Sequence, residues 1–164
     1  MLVWLIGISG AGKTTLGNRL KKYYDKNNIK SFILDGDIVR DFYDNDLGYT
    51  KEDRVANIKR IMLSAYVLER NGIIPIICNI SPFEELREFA RNKFHNYKEI
   101  YLKKNIDIAQ DNDVKNVYKS NLLKTSIVGI DMKFEEPLHS DLTIEVDLEN
   151  ENESFLKIIN FLKV

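Results

Sequence analysis

Near the start of the chain, Gly7-Ile8-Ser9-Gly10-Ala11-Gly12-Lys13-Thr14 combines glycines, a lysine and a hydroxyl at fixed spacing. Glycines let the backbone turn so that successive N–H groups converge, and such a nest of amides opening into a helix N-terminus binds phosphate. The order fits the Walker A pattern in full, in which the lysine reaches the β- and γ-phosphates and the hydroxyl binds Mg²⁺. Lys13 and Thr14 would take those roles, with Gly7, Ser9, Gly10, Ala11, Gly12 and Thr15 completing a cradle for ATP. A bare glycine-rich turn needs neither the lysine nor the hydroxyl.

A second group stands at Asp35-Gly36-Asp37, followed by Arg40. Two carboxylates there can divide two tasks: one takes or orients a hydroxyl proton, and the other holds Mg²⁺ through water. Asp35 is the candidate base and, with Thr14, a candidate metal ligand; Asp37 is a candidate for the acceptor side. The same tripeptide is also good chemistry for an Asx-turn and a helix cap. Arg40, Arg54 and Arg60 bracket the region, and guanidinium groups suit bidentate recognition of oxyanions, so an anionic acceptor is expected. Arg60 reads as a solvated helix-face arginine, whereas Arg54 sits at a helix start with Asp53 and Asn57.

These residues need a scaffold, and the hydrophobic pattern supplies one. Leu2 to Ile6 is wholly apolar, the mark of a strand covered on both faces, and it ends at the glycines. Thr14 to Tyr24 has helical spacing, Ser31 to Leu34 reads as a second strand, and Lys51 to Arg70 carries Val55, Ile58, Ile61, Met62, Ala65 and Leu68 on one face. Ile73 to Cys78, Tyr97 to Leu102 and Leu142 to Val146 read as further strands, Ser81-Pro82 as the opening of a helix, and Asn150 to Leu162 as a closing helix. Strands alternating with helices predict an α/β fold, a parallel sheet of about five strands with helices on both faces. Residues 1–164 read as a single domain. Within it, Asp107 to Glu136 is polar and without sustained period, and a loop of that length suits a lid.

Composition narrows the class. The 24 Lys and Arg nearly cancel the 25 Asp and Glu, which removes the field that drives non-specific nucleic-acid or membrane binding. One cysteine, Cys78, excludes an internal disulfide and reads as a core residue; with no apolar run long enough to span a bilayer, it points to the cytoplasm. His95 and His139 have no partner at metal-ligand spacing. Trp4 and Phe89 read as core, Phe83 as core or acceptor lining, and Glu149, Glu151 and Glu153 as a solvated helix start. Asn92-Lys93 is followed by Phe94-His95 and not by the acid of a guanine-reading motif, and the third strand ends at Asn79 instead of an acid. Small-molecule kinases remain, with a nucleoside monophosphate kinase and a non-catalytic nucleotide-sensing module as alternatives.

Along nearly its whole length the chain resembles the adenylyl-sulfate (APS) kinases: GISGAGKTT, LDGDIVR, DLGYTKEDRVANIKRI, NISPFEELREFAR, DVKNVYKS and GIDMKFEEP occur in order. The resemblance implies transfer of the ATP γ-phosphate to the ribose 3′-hydroxyl of a nucleotide whose 5′-phosphate bears a second anionic group, and it implies a homodimer. It makes Asp35 the base and puts Arg40, Arg54 and Asn57 on the acceptor's 5′-phosphate and ribose. Ile80, Ser81, Pro82 and Phe83 then line that pocket, Tyr49 stacks on the base, Lys115, Lys119 and Lys124 are lid cations, and Ile130 and Asp131 continue the closing loop. There are departures: Ile38 replaces an asparagine, Asp111-Asn112-Asp113 replaces Ala-Arg-Asp, the lid is shorter between Tyr118 and Gly129, and Ile127 replaces the second stacking ring. Losing one aromatic face costs a stacked base about 1–3 kcal/mol. Two acceptors fit this pattern: adenylyl sulfate, and the cytidine 5′-diphosphoramidate associated with capsule-synthesis relatives of the family.

Overall fold

The computed structural model describes residues 1–111 and 127–163. Five parallel strands run in the order β2-β3-β1-β4-β5: β1 (Leu2–Ile6), β2 (Ser31–Asp35), β3 (Ile74–Cys78), β4 (Tyr97–Lys103) and β5 (Leu142–Glu145). The central strand β1 pairs with β3 and β4, Trp4 lying opposite Ile77 on one side and Glu99 on the other. All five β1 side chains are fully buried, each contributing roughly 1.5–3 kcal/mol. Period-2 alternation sends Leu2, Trp4 and Ile6 to one face and Val3 and Leu5 to the other.

Helices cover both faces, as the alternating pattern requires. α3 (Lys51–Arg70) and α4 (Glu84–Lys93) pack on the Trp4 face, and α1 (Lys13–Lys26) and α6 (Glu151–Leu162) on the Val3 face. α3 buries the Ile58, Ile61, Met62 and Ala65 stripe, and its start is fixed by a capping box between Thr50 and Asp53. A second capping box, Asn150 with Glu153, opens α6, so Glu153 serves as a cap. Its neighbours Glu149 and Glu151 pair with Lys157 and Arg19.

Three expectations are corrected. Phe89 is 55 % exposed, because it falls off the α4 stripe formed by Leu86, Arg87 and Ala90. α4 begins at Glu84, beyond Pro82, because Glu135 supplies its cap: the Glu84 N–H donates to Glu135 Oε2 at 2.6 Å. The aperiodic stretch holds structure at both of its described ends. Ile106–Asp111 forms the short helix α5, and beyond it Val128 is buried while Met132 and Phe134 pack against the core. Tertiary contact with β4, where Phe134 stacks on Tyr101 at 5.6 Å, orders what local periodicity could not reveal. Asn112, Asp113, Lys115, Tyr118, Lys119 and Lys124 lie outside the described residues. No helix among those described is long and apolar enough to cross a membrane.

Candidate active site

The Gly7–Thr14 segment links the end of β1 to α1, as its mechanism requires. Gly7 has φ +141°, and a Cβ there would lie 2.4 Å from the Leu102 carbonyl oxygen, so no other residue fits between β1 and β4. Gly12 caps α1 in the left-handed region, φ +88°, with no side-chain cap and no acid in the first turn. The helix therefore presents its amides and positive dipole end to an incoming anion. Lys13 folds back over the loop, its Nζ donating to the carbonyls of Gly7 at 2.9 Å and Ile8 at 2.7 Å. Thr14 and Thr15 are exposed at the first turn, Ala11 is buried beneath it, and Ser9 and Gly10 form the crest of the loop.

Asp35 ends β2, in register with Cys78 of β3, and is 8 % exposed. Its Oδ1 accepts from the Asp37 N–H at 2.9 Å, capping α2 (Gly36–Phe42), and its Oδ2 accepts from Thr14 Oγ1 at 2.8 Å. The helix cap thus leaves the second oxygen on Thr14 of the phosphate loop: capping one oxygen fixes the other there. A hydroxyl and a carboxylate converging in this way are the hard oxygen donors that suit Mg²⁺. Asp37 is exposed on the first turn of α2.

Arg40, on the last turn of α2, is buried, and its Nη1 donates to the Leu47 and Gly48 carbonyls. No carboxylate comes within ion-pairing distance of Arg40 among the described residues. Arg54, half-buried on α3, has its guanidinium pKa lowered first by burial and then by the Arg40 charge. Both guanidiniums lie against the Tyr49 ring, 4.6 Å and 5.3 Å from its centroid. Asn57 is buried, donating Nδ2 to the Gly36 carbonyl at 3.3 Å, while its Oδ1 has no hydrogen-bond partner. Arg60 stands apart, paired bidentately with Asp46 at 2.7 Å, so it belongs to the surface.

The Ile80–Phe83 segment follows β3. Ile80 is half-buried, and its carbonyl accepts from the Gly7 N–H at 3.5 Å, tying the segment to the phosphate loop. Ser81 is buried with φ +49°, a left-handed conformation that a serine adopts at a cost. Pro82 is buried, and Phe83 belongs to the core cluster, its ring approached by Lys51 at 5.7 Å. Phe83 is thus a core residue. Ile127 is half-buried at a turn closed by Asp131, whose Oδ2 accepts from the Ile127 N–H at 2.8 Å. Gly129 in that turn sits close enough to the phosphate loop that a Cβ there would lie 3.7 Å from Ile8 Cγ2. Ile130 and Asp131 are exposed.

Sequence reasoning missed three residues. Asn79 Oδ1 accepts from both the N–H and the hydroxyl of Ser81, at 2.9 Å and 3.1 Å, and Trp4 Nε1 donates to Ser81 Oγ at 2.9 Å. Arg87, fully buried, donates to the Ser81 carbonyl at 2.6 Å. Arg87 left a readable signal, since it stands at the helical spacing of Phe83, Ala90 and Phe94 on an otherwise apolar stripe.

A phosphate loop between the central parallel strand and α1, facing a fixed carboxylate at the end of β2, one strand beyond β3, defines the class: a P-loop phosphotransferase. The family model for adenylylsulphate kinase matches residues 1–145, and the chain belongs to that family. It is 38 % identical to the adenylyl-sulfate kinase of Rippkaea orientalis over 159 residues, 95 % of this chain and 87 % of that one. With the adenylyl-sulfate kinase of Microcystis aeruginosa it shares 39 % over 163 residues, 98 % and 90 % of the two chains. The fold superimposes on the Mycobacterium tuberculosis APS kinase CysC, solved in complex with AMPPNP and APS, with a TM-score of 0.91. The identity there is 26 %, covering 99 % of this chain and 97 % of that one.

Proposed function

We propose that the enzyme transfers the γ-phosphate of ATP to the ribose 3′-hydroxyl of a nucleotide whose 5′-phosphate carries a second anionic group. The observation that carries this reading is the Arg40–Arg54 pair. Burial and the neighbouring Arg40 charge lower the Arg54 guanidinium pKa, and Arg40 is buried with only backbone carbonyls and the Tyr49 ring against it among the described residues, an arrangement that suits an anionic acceptor group. Asp35, whose oxygens are held by Thr14 and Asp37, takes or orients the hydroxyl proton. The orphan Oδ1 of Asn57 suits a ribose hydroxyl as donor. Lys13 and the loop amides hold the β- and γ-phosphates. Thr14, with Asp35, would hold Mg²⁺, which when bound neutralises charge on the transferring group.

Adenylyl sulfate is the acceptor named by the curated relatives. Cytidine 5′-diphosphoramidate is favoured by a specific observation: Ile127, an aliphatic side chain, stands where the family resemblance places an aromatic one, which suits a smaller base. Tyr49 would supply the remaining ring. A cytoplasmic homodimer is the expected form. ADP release with each compound in turn, and the position of the new phosphate by phosphorus NMR, tests the reading. Transfer to a 5′-phosphate would instead favour a nucleoside monophosphate kinase, and no turnover a binding module.

A further inference from the structure

We infer that Arg87 is a positioning residue of the acceptor side, and this rests on the reading of Ser81 and the Ile127–Asp131 turn as walls of the acceptor pocket. Arg87 touches no reacting group. It lies behind the pocket, fully buried, and its guanidinium reaches two chain segments far apart in sequence: Nη1 donates to the Ser81 carbonyl and Nη2 to the Glu135 carbonyl, both at 2.6 Å.

Each end of this clamp is tightly specified. Ser81 is held left-handed with every polar group engaged: its N–H and hydroxyl on Asn79, its Oγ also under Trp4 Nε1, its carbonyl under Arg87. A strained conformation persists only when its surroundings over-determine it, and Arg87 supplies a contact from the helix α4. At the other end, residues 132–135 form a strap leading away from the turn that lies beside Ile8 of the phosphate loop. The strap is fastened by Phe134 stacked on Tyr101, by the Glu135 N–H on the Pro82 carbonyl at 3.0 Å, and by Glu135 Oε2 under the Glu84 N–H. Arg87 also lies over the Phe134 ring, 5.7 Å from its centroid. One planar fork therefore sets the distance between the Ser81 wall and the strap that carries the opposite wall. Glu84 pairs with the same guanidinium and Glu99 faces it at 4.0 Å, so its charge is balanced by protein and it is not an anion site.

Arg87→Lys keeps the charge but cannot bridge two carbonyls as a planar fork does. With Mg·ATP and whichever of adenylyl sulfate or cytidine 5′-diphosphoramidate the native enzyme turns over, the KM for the acceptor should rise about tenfold or more, while the KM for ATP stays within about twofold. Glu135→Ala, which leaves Arg87 in place and removes the strap's side-chain bond, should shift the same constant in the same direction by less. An unchanged acceptor KM in Arg87→Lys, with only yield or Tm reduced, would mean that Arg87 is a structural ion and overturns the inference. If Arg87→Lys does not fold, the same result in Glu135→Ala overturns it. Amide hydrogen exchange of the ligand-free chains separates the clamp from the reaction: Arg87→Lys should release Glu84 and Glu135 together, even if native protein proves inactive on both nucleotides. Unchanged protection at both would refute the clamp whatever the substrate.

Discussion

Two pairs of arginines sit in this molecule within buried or half-buried surroundings, and the groups described around them differ. Arg87 and Arg91 of α4 meet protein carboxylates: Glu84, Glu88, Glu99 and Asp141 lie around them, with Glu99 fully enclosed and accepting from the Tyr97 hydroxyl at 2.6 Å. Burial pushes the Glu99 carboxyl up, against the pull of Tyr97, Arg87 and Arg91. Arg40 and Arg54 face backbone carbonyls, an aromatic ring and each other. Where the chain supplies the countercharge, the arginines are architecture. Arg40, held only by backbone carbonyls and the Tyr49 ring among the described residues, is the one that the proposed function pairs with an acceptor anion.

Substitutions can break or sharpen that contrast. The largest effect is expected at the carboxylate held against Thr14, the base of the proposed reaction: Asp35→Asn, which still caps α2, should lower kcat about 10²–10⁴-fold in an ADP-release assay with little change in Tm. In the paired cluster the loss should be of stability instead. Glu99→Ala strands buried positive charge and should cost about 3–5 kcal/mol in urea unfolding, with both KM values of the folded enzyme kept. In the Arg40–Arg54 cluster, Arg40→Met should raise the acceptor KM about 10–100-fold and leave the ATP KM unchanged, with a smaller loss of stability than Glu99→Ala because only its bonds to the Leu47 and Gly48 carbonyls are given up. Equal losses of stability in Glu99→Ala and Arg40→Met would erase the distinction.

Smaller effects bear on the base and on the sheet beneath the loop. Ile127→Phe should move the ratio of kcat/KM for adenylyl sulfate over the cytidine compound toward adenine, by about 1–3 kcal/mol at most. Cys78, whose Sγ lies 3.4 Å from the Lys13 carbonyl, has its thiol pushed up to about 12, mainly by burial and further by the Asp35 charge. Thiolate is the reactive form, so at pH 8 it should resist iodoacetamide until the protein unfolds. Cys78→Ala should leave kcat within about twofold.

The donor half was legible because its chemistry is local. Gly7 to Thr14 are contiguous, and an apolar run before them and a helical stripe after them fix their place in the sheet. The helix Lys51–Arg70 was readable for the same reason, an unbroken apolar face with a capping box at its start. On the proposed acceptor side, Arg40 and Arg54 were legible as oxyanion-binding guanidiniums near Asp35-Gly36-Asp37, whereas the roles of Asn57 and Ser81 came only through family resemblance, since these residues lie on separate segments. The strap around Phe134 and Glu135 carries no periodic signal at all. Its order comes from Tyr101, Pro82 and Arg87, residues distant in sequence, and the same contacts displaced the start of α4 past Pro82. Phe89 was misplaced because aromatic character was read without its helical phase.

The most direct test is to incubate the protein with Mg·ATP and, separately, with adenylyl sulfate and with cytidine 5′-diphosphoramidate, following ADP release and locating the new phosphate by phosphorus NMR. Turnover of at least one, with phosphate on the ribose 3′-oxygen, is the predicted result, and the preferred compound reports what Ile127 selects. No acceleration of ADP release by either compound, or phosphate added to the 5′ chain, would contradict the assignment of Arg40 and Arg54 to a 5′-anion and of Asp35 to a ribose hydroxyl.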